Sequence, residues 1–330
     1  MKAIRAHGYG GPEVLRLDSV PDPVPSPGQV RIRVHAAAVN PIDCKIRSGA
    51  QRILIPQRAP FPIGMDCSGV IDAVGAGVTD FQVGDAVMTS PHYKSAGTYA
   101  ELVCVAADQI ARKPDNITHQ EAAGIPLAGL TALQCLYAAK VGKGHRVLIQ
   151  AGAGGVGTLA IQLAHHMGAH VITTCSPANN ELVQDLGASQ VIDYRSERIE
   201  DVVSDLDMVL DALGGEHRER GMTVLKKGGR LACIVTDVPA LAKAHGPLLG
   251  TLRAIGRLLW VTVSSRLRGK PVHYVVRKPS GVDLTHLADL ARDGHLRPVV
   301  DRVYPLAEAQ DAHRYSETGR ARGKIIIAVA

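Results

Sequence analysis

The feature that most constrains this 330-residue chain is the run Val147-Leu148-Ile149-Gln150-Ala151-Gly152-Ala153-Gly154-Gly155-Val156-Gly157. A short apolar stretch enters a glycine-rich turn, and the helical pattern Val156–Met167 leaves it. G-x-G-x-x-G alone is a weak signal. With a strand before it and a helix after it, the spacing describes the first turn of a βαβ unit. Each glycine meets a separate demand. Gly152 permits the tight turn, Gly154 lets the backbone approach a pyrophosphate, and Gly157 lets helix and strand pack closely. Amides at the helix start attract the anion. No Gly-Lys-Ser/Thr follows the glycines, so a P-loop is excluded and a dinucleotide is the expected ligand.

Which dinucleotide is read about twenty residues on, where an NAD site places Asp or Glu against the 2′-hydroxyl. Here the sequence runs Thr173-Thr174-Cys175-Ser176-Pro177-Ala178-Asn179-Asn180, with no acid before Glu181. A carboxylate would repel a 2′-phosphate, whereas Ser176 and Asn179 can donate to it, helped by Tyr194 and Arg195 after the third strand. Ser176 is equally an N-cap candidate, and the two roles are compatible. Charge complementarity therefore points to NADP(H).

The rest of the chain arranges itself around this unit. At ~150 residues per domain the length suggests about two domains. From about Thr118, strands at His145–Gln150, Val171–Thr174, Val191–Tyr194, Met208–Ala212 and Arg230–Val235 alternate with helices at Val156–Met167, Asn179–Leu186 and Glu216–Leu225. A helix is expected over His119–Lys140. Alternation of this kind predicts a parallel, doubly wound Rossmann sheet. The first 120 or so residues instead show short strands (Val30–Ala38, Cys67–Val78, Asp85–Thr89, Tyr99–Val105) between Gly and Pro turns, which suggests a small β-barrel-like domain. After about Pro271 come a helix, Leu284–Asp293, and short strands ending in Lys324–Val329. The Rossmann domain, 122–272, is thus expected to be inserted into a barrel domain formed by 1–121 and 273–330.

Aromatic residues are only 3% of the chain, so the core rests on Ala, Val, Leu and Ile. That suits strands buried on both faces and disfavours an aromatic platform for single-stranded nucleic acid. Lys plus Arg number 37 against 31 Asp plus Glu, a formal charge of +6, but without a basic run, so nucleic acid is not the expected partner. The six cysteines contain no C-x-x-C pair, and Met1–Gly10 lacks an apolar signal-peptide core. Reduced thiols and a cytoplasmic location are the expectation. The most apolar stretch, Pro247–Val263, is broken by Arg253 and Arg257 and is too short to span a bilayer, so no membrane partner is expected. The segment 247–268 is a candidate cap over the site or part of a subunit interface.

Catalytic zinc needs three ligands drawn from Cys, His and carboxylates. No H-E-x-x-H or cysteine quartet exists, and His165-His166, adjacent on a helix, make a poor chelate. No G-x-S-x-G nucleophile motif is present either. No metal is expected.

The run Val39-Asn40-Pro41-Ile42-Asp43-Cys44-Lys45-Ile46-Arg47-Ser48-Gly49, taken with Ala151–Gly157, resembles the medium-chain dehydrogenase/reductase superfamily. Gly64-Met65-Asp66-Cys67-Ser68-Gly69, Ala128–Ala132 and Ala321-Arg322-Gly323-Lys324 support the match. More narrowly the chain resembles the zinc-free, ζ-crystallin-like quinone oxidoreductases. Within them the stretches Cys175–Tyr194, Val272–Tyr274 and Gly294–Val299 look closest to the reticulon-interacting oxidoreductases. The resemblance implies a GroES-like β-barrel catalytic domain and a homodimer. Zinc-binding members carry Cys where this chain has Asn40, His where it has Met65, and Cys or His near Leu127. It implies Asn40, Asp43 and Lys45 on the loop facing the nicotinamide, Thr131 by the cofactor, and Gly155 and Val156 on its phosphates. Ser176, Asn179 and Tyr194 would surround the 2′-phosphate, Leu213 would pack by a ribose, and Arg322 would close over the cofactor.

The activity expected is hydride transfer from NADPH to a quinone or related conjugated carbonyl, with Lys45 and Asn40 stabilising developing oxyanion charge. Many quinone reductases have Tyr where Lys45 stands, and alkenal and enone reductases often have Lys. Reduction of an enone double bond is therefore the near alternative. A non-enzymatic NADPH-binding or RNA-binding role is a further one.

Overall fold

The computed structural model describes residues 1–93, 96–236 and 238–329. The chain divides into two compact units, Met1–Leu130 with Lys278–Ala330, and Thr131–Arg277. The first opens with β1 (Lys2–Ala6), β2 (Leu15–Ser19) and β3 (Gln29–Val39), then α1 (Pro41–Arg47), β4 (Phe61–Pro62), β5 (Cys67–Val74), β6 (Ala86–Thr89), β7 (Leu102–Ala106), β8 (Ile110–Arg112) and α2 (His119–Ala123). Helix α3 (Pro126–Ala139) carries the chain into the second unit.

There, β9 (Arg146–Ile149), α4 (Gly155–His166), β10 (His170–Cys175), α5 (Asn180–Asp185) and β11 (Gln190–Asp193) form one half. The other half is α6 (Ile199–Val202), β12 (Leu206–Asp211), α7 (Gly215–Thr223), β13 (Leu225–Cys233), α8 (Val238–His245), α9 (Pro247–Leu267) and β14 (Val272–Tyr274). The chain returns to the first unit with α10 (Gly281–Arg292), β15 (Val300–Pro305), α11 (Ala309–Glu317) and β16 (Lys324–Ala328).

The second unit holds the expected parallel sheet, in the order β11-β10-β9-β12-β13-β14, with every pairing parallel. The order reverses between β9 and β12. Right-handed crossovers then put α4 and α5 on one face and the later helices on the other, so a crevice opens beyond the carboxyl ends of those two strands. Leu148, Val209 and Leu231 are fully buried, as strands covered on both faces require.

In the first unit a seven-stranded sheet contains β15-β16-β3-β5-β6-β8, with β7 also on β3, and a three-stranded sheet runs β2-β1-β4. Among the described residues this ladder does not close into a barrel. β3 alternates as far as Val34 and is then buried without a break from Ala36 to Val39. Its alanines are small enough for α2 to lie on one face, Ala123 against Ala36 and Ala38, while Ala37 and Val39 fill the main core on the other. Asn40 therefore begins α1 already buried, 2% exposed.

The structure departs from the sequence expectations at several points, each for a local reason. His119–Lys140 is two helices, because Pro126 has no amide to continue the first. The strand expected over Cys67–Val78 ends at Val74. A Cβ on Gly75 would lie 2.2 Å from the Ser26 carbonyl oxygen, so the backbone passes too close for an ordinary residue. The helix expected to Leu225 stops at Thr223, and buried Leu225 opens β13. Asn40–Lys45, expected as a loop, is the N-cap and first turns of α1. Pro41 at the first helical position and Asp43 in the first turn favour helix there. Segment 247–268 is nearly all the 21-residue helix α9.

Candidate active site and nucleotide cradle

In the second unit the cradle is built from β10 and α4. The Ala151 amide donates to Thr174 Oγ1 (3.0 Å) and the Gly152 amide to the Thr174 carbonyl (2.9 Å), pinning the turn to the neighbouring strand. Ala151 itself sits at φ 56°, in the left-handed region. A Cβ on Gly152 would lie 2.0 Å from Thr173 Oγ1, and one on Gly157 2.3 Å from the Ala151 carbonyl oxygen. Gly154 is the N-cap of twelve-residue α4 and brings no side-chain cap, so the first amides of the helix, at Gly155 and Val156, are left for an anion.

Beyond β10, Asn179 Nδ2 donates to Ser176 Oγ (3.2 Å), while the buried Asn179 Oδ1 has no hydrogen-bond partner. Tyr194 is exposed, with the Arg195 guanidinium 5.9 Å from its ring centre. After β12 the buried Asp211 accepts the Leu213 and Gly214 amides (3.0 and 2.7 Å), which fixes the turn that presents half-exposed Leu213. Thr131 is buried on α3.

The first unit holds a separate polar cluster at the end of β3. Asp66 Oδ2 accepts from Asn40 Nδ2 (3.0 Å) and Lys324 Nζ (3.2 Å), and its Oδ1 accepts the Leu127 amide (2.7 Å). Lys324 also donates to Asn40 Oδ1. The Lys324 and Asp66 side chains are 4% and 0% exposed, so this is a fully buried ion pair. Sequence reasoning placed both residues in matched motifs but gave neither a role. They lie 258 residues apart, and no local pattern links them. Met65 is buried beside the cluster. Arg322 is exposed, its amide donating to Asp301 Oδ2 (3.1 Å).

Asp43 lies next to this cluster. Its Oδ2 accepts the Asn40 amide (2.9 Å) and the Tyr99 hydroxyl (3.2 Å), and its Oδ1 has no partner. Asp43, Ile46, Gly64, Met65 and Tyr93 line a cavity of about 370 Å³, which Lys45 does not line. Loss of solvation, reinforced by the Asp66 charge, raises the Asp43 carboxyl to about 7. Half-buried Lys45 is pulled below the ordinary lysine value by the same loss of solvation, so it is not the exposed surface lysine its type would suggest.

Folded Asp43 thus keeps a proton that the unfolded chain releases near pH 4. Its contribution to stability is complete below that pH and is lost as the pH rises through about 7. His313 (about 3) and His119 (about 4), each held low by burial, act in the opposite sense, so the comparison with Asp43→Asn isolates the effect. Between pH 4.5 and 7.5 the variant should gain roughly 3–8 °C in Tm relative to the parent chain. Parallel melting curves across that range would show Asp43 to be an ordinary carboxylate.

Residues 26–115 match the family model described as alcohol dehydrogenase GroES-like domain, and residues 186–327 that of zinc-binding dehydrogenase. With the parallel sheet and its glycine turn, these matches make the chain a member of the medium-chain dehydrogenase/reductase superfamily. It is 35% identical to the mitochondrial NAD(P)H oxidoreductase RTN4IP1 of Mus musculus, over 97% of this chain and 87% of that protein. It is also 35% identical to the chloroplastic NADPH-dependent alkenal/one oxidoreductase of Arabidopsis thaliana, over 99% of this chain and 79% of the relative. Among solved structures, the quinone oxidoreductase from Coxiella burnetii superposes with a TM-score of 0.88 at 35% identity, covering 100% of this chain and 99% of that one. These relatives are organellar by name in two cases, so they lend the cytoplasmic expectation no support. No described helix is long and apolar enough to cross a membrane.

Proposed function

We propose that this protein is an NADPH-dependent oxidoreductase that reduces quinones or related conjugated carbonyls without a metal. The observation that carries the reading is the Asp66 cluster. The positions where zinc-binding members hold their ligands are here an amide (Asn40), a thioether (Met65) and an aliphatic side chain (Leu127). Asn40 and the Leu127 amide both donate to Asp66, which also accepts from the Lys324 ammonium group. That donor set does not fit zinc.

NADPH fits the second unit. The cradle admits no side chain at Gly152 or Gly157, and the unpartnered Asn179 Oδ1 can accept a ribose hydroxyl. Ser176 and Asn179 can donate to a 2′-phosphate that no carboxylate at the end of β10 repels. When bound, NADPH supplies the hydride that a conjugated carbonyl accepts. Asp43 lines the cavity of about 370 Å³ with a carboxyl raised to about 7, and is our candidate for supplying a proton to the reduced oxygen. Asn40, Asp43 and Lys45 are the residues we assign to catalysis. Thr131, Gly152, Gly154, Gly155, Val156, Gly157, Ser176, Asn179, Tyr194, Leu213 and Arg322 are assigned to the cofactor. The edge strand β14 supports the homodimer that the resemblance implies, through pairing of two such edges.

Reduction of an enone double bond is the second reading, supported by the resemblance at Lys45, whose side chain would have to turn toward the cavity of about 370 Å³ to draw an enolate oxygen. On either reading Lys45→Met should lower kcat about 10²-fold with little change in NADPH affinity. An unaltered kcat would remove Lys45 from the mechanism. Metal independence is tested by assaying quinone reduction after dialysis against a chelator. Full activity with no stoichiometric zinc supports the proposal, and loss of activity restored by zinc overturns it.

A further inference from the structure

Helix α9 buries one side and exposes an apolar one. Thr251, Ala254 and Ser265 are buried with the inner side, in step with the helical repeat. On the opposite side Leu248, Leu252, Ile255, Leu259 and Val263 are 46–68% exposed, and Trp260 beside them is 69% exposed. A solvent-facing stripe at i, i+4, i+7, i+11 and i+15 is the reverse of what a surface helix of a globular domain presents.

The charge carried by this stretch of the sequence has one sign. From Val238 to Val282 the sequence contains Lys243, Arg253, Arg257, Arg266, Arg268, Lys270, Arg277 and Lys278 and no Asp or Glu. At 100° per residue Arg253 follows Trp260 at one border of the stripe, Arg257 and Arg268 lie farther round on that side toward the inner face, and exposed Arg266 falls in line with the stripe itself. Beneath that edge, between α7 and α9, lies a cavity of about 710 Å³. Among the described residues Arg218, Arg257, Arg268 and Lys270 line it with one carboxylate, Glu219, which pairs with Arg257 at 3.2 Å. Its residues at the end of α7 and at Arg268–Lys270 precede β13 and β14. It therefore belongs to the amino end of the parallel sheet, opposite the glycine cradle at the carboxyl end of β9.

We propose that α9 seats this protein on the surface of an anionic phospholipid bilayer, with its outer stripe at the acyl boundary and headgroup phosphates received along the arginine edge and in the adjoining basic cavity. Charge complementarity selects this occupant. A second copy of the helix would set arginines against arginines with no acid on α9 to answer them, whereas anionic headgroups pair with them all. The combination of Leu and Trp on one face with arginines at its border is that of helices lying in the interface plane. α9 lies on the bilayer and does not cross it.

Trp260 is the only tryptophan in the chain and reports on this face directly. The test uses the full chain with vesicles of phosphatidylcholine alone or with one quarter phosphatidylglycerol, in 0.1 M NaCl. Anionic vesicles should shift Trp260 emission to the blue and bring it within reach of brominated acyl chains, and neutral vesicles should do neither. Raising NaCl to 0.5 M should lower the bound fraction about fivefold. Arg253→Glu with Arg268→Glu, and separately Leu252→Glu with Leu259→Glu, should each abolish the shift while melting temperature and NADPH binding stay unchanged. The proposal is overturned by an absent shift, by an equal shift with neutral vesicles, or by a shift that survives both double variants. A blue shift that grows with protein concentration without lipid and is lost in the Leu252→Glu, Leu259→Glu variant would assign the face to a second copy and equally overturn it.

Discussion

Gly157→Ala is expected to raise the NADPH dissociation constant at least about 30-fold, equivalent to about 2 kcal/mol, while leaving the circular dichroism of the chain near that of the parent. The new methyl would lie 2.3 Å from the Ala151 carbonyl oxygen and 2.8 Å from the Gly152 Cα, both backbone. Neither can withdraw easily. The carbonyl accepts the Gly154 amide (3.0 Å), and the turn is bonded to Thr174 on β10. α4 must therefore back away from the strand, carrying its first amides out of register with the anion. Gly154→Ala is the internal comparison, since its methyl meets the same oxygen at 3.3 Å, a contact relieved by a few tenths of an ångström. It should leave the packing of α4 undisturbed, so any affinity it loses reports the approach of the backbone to the pyrophosphate. Fluorescence titration of NADPH against the three proteins checks the order, and equal affinities would refute the packing role given to Gly157.

The second large effect is on stability. Lys324→Met is expected to destabilise the first unit by about 3–5 kcal/mol, because it removes the ammonium group that lies 3.2 Å from the fully buried Asp66 carboxylate. Combining it with Asp66→Asn removes the buried negative charge as well and should restore most of the loss, although the pair itself contributes little net energy. Chemical denaturation of the single and double variants completes the cycle. If the single variant unfolds like the parent chain, the pair is open to water in solution. The same cluster then gives no support to the metal-free reading.

These two predictions come from features of different legibility. The cradle could be read from the sequence because every demand on Gly152, Gly154 and Gly157 is made within a single strand–turn–helix, where spacing encodes contact. The parallel sheet was legible for a similar reason, each strand being a short apolar run between turn residues. The Lys324–Asp66 pair could not be read. Its partners come from opposite ends of the chain, and Lys is a residue usually found exposed. α9 was hidden differently. Its apolar residues lie on both sides, so no amphipathic period distinguished the inner face from the outer one. Asn40 and Asp43 were placed by resemblance, and only the structure shows that four consecutive buried residues of β3 carry them inside. That burial, and not the residue type, is what makes Asp43 a proton-holding group.

The central claim is tested most directly by following NADPH and NADH oxidation with 1,4-benzoquinone, 9,10-phenanthrenequinone and 3-buten-2-one. The account predicts turnover of the quinones with kcat/KM clearly higher for NADPH than for NADH. Saturation of the enone alone would move the assignment to alkene reduction at the same site. NADH preferred over NADPH would contradict the reading of Ser176 and Asn179, and no turnover of any acceptor despite NADPH binding would contradict the proposed function itself.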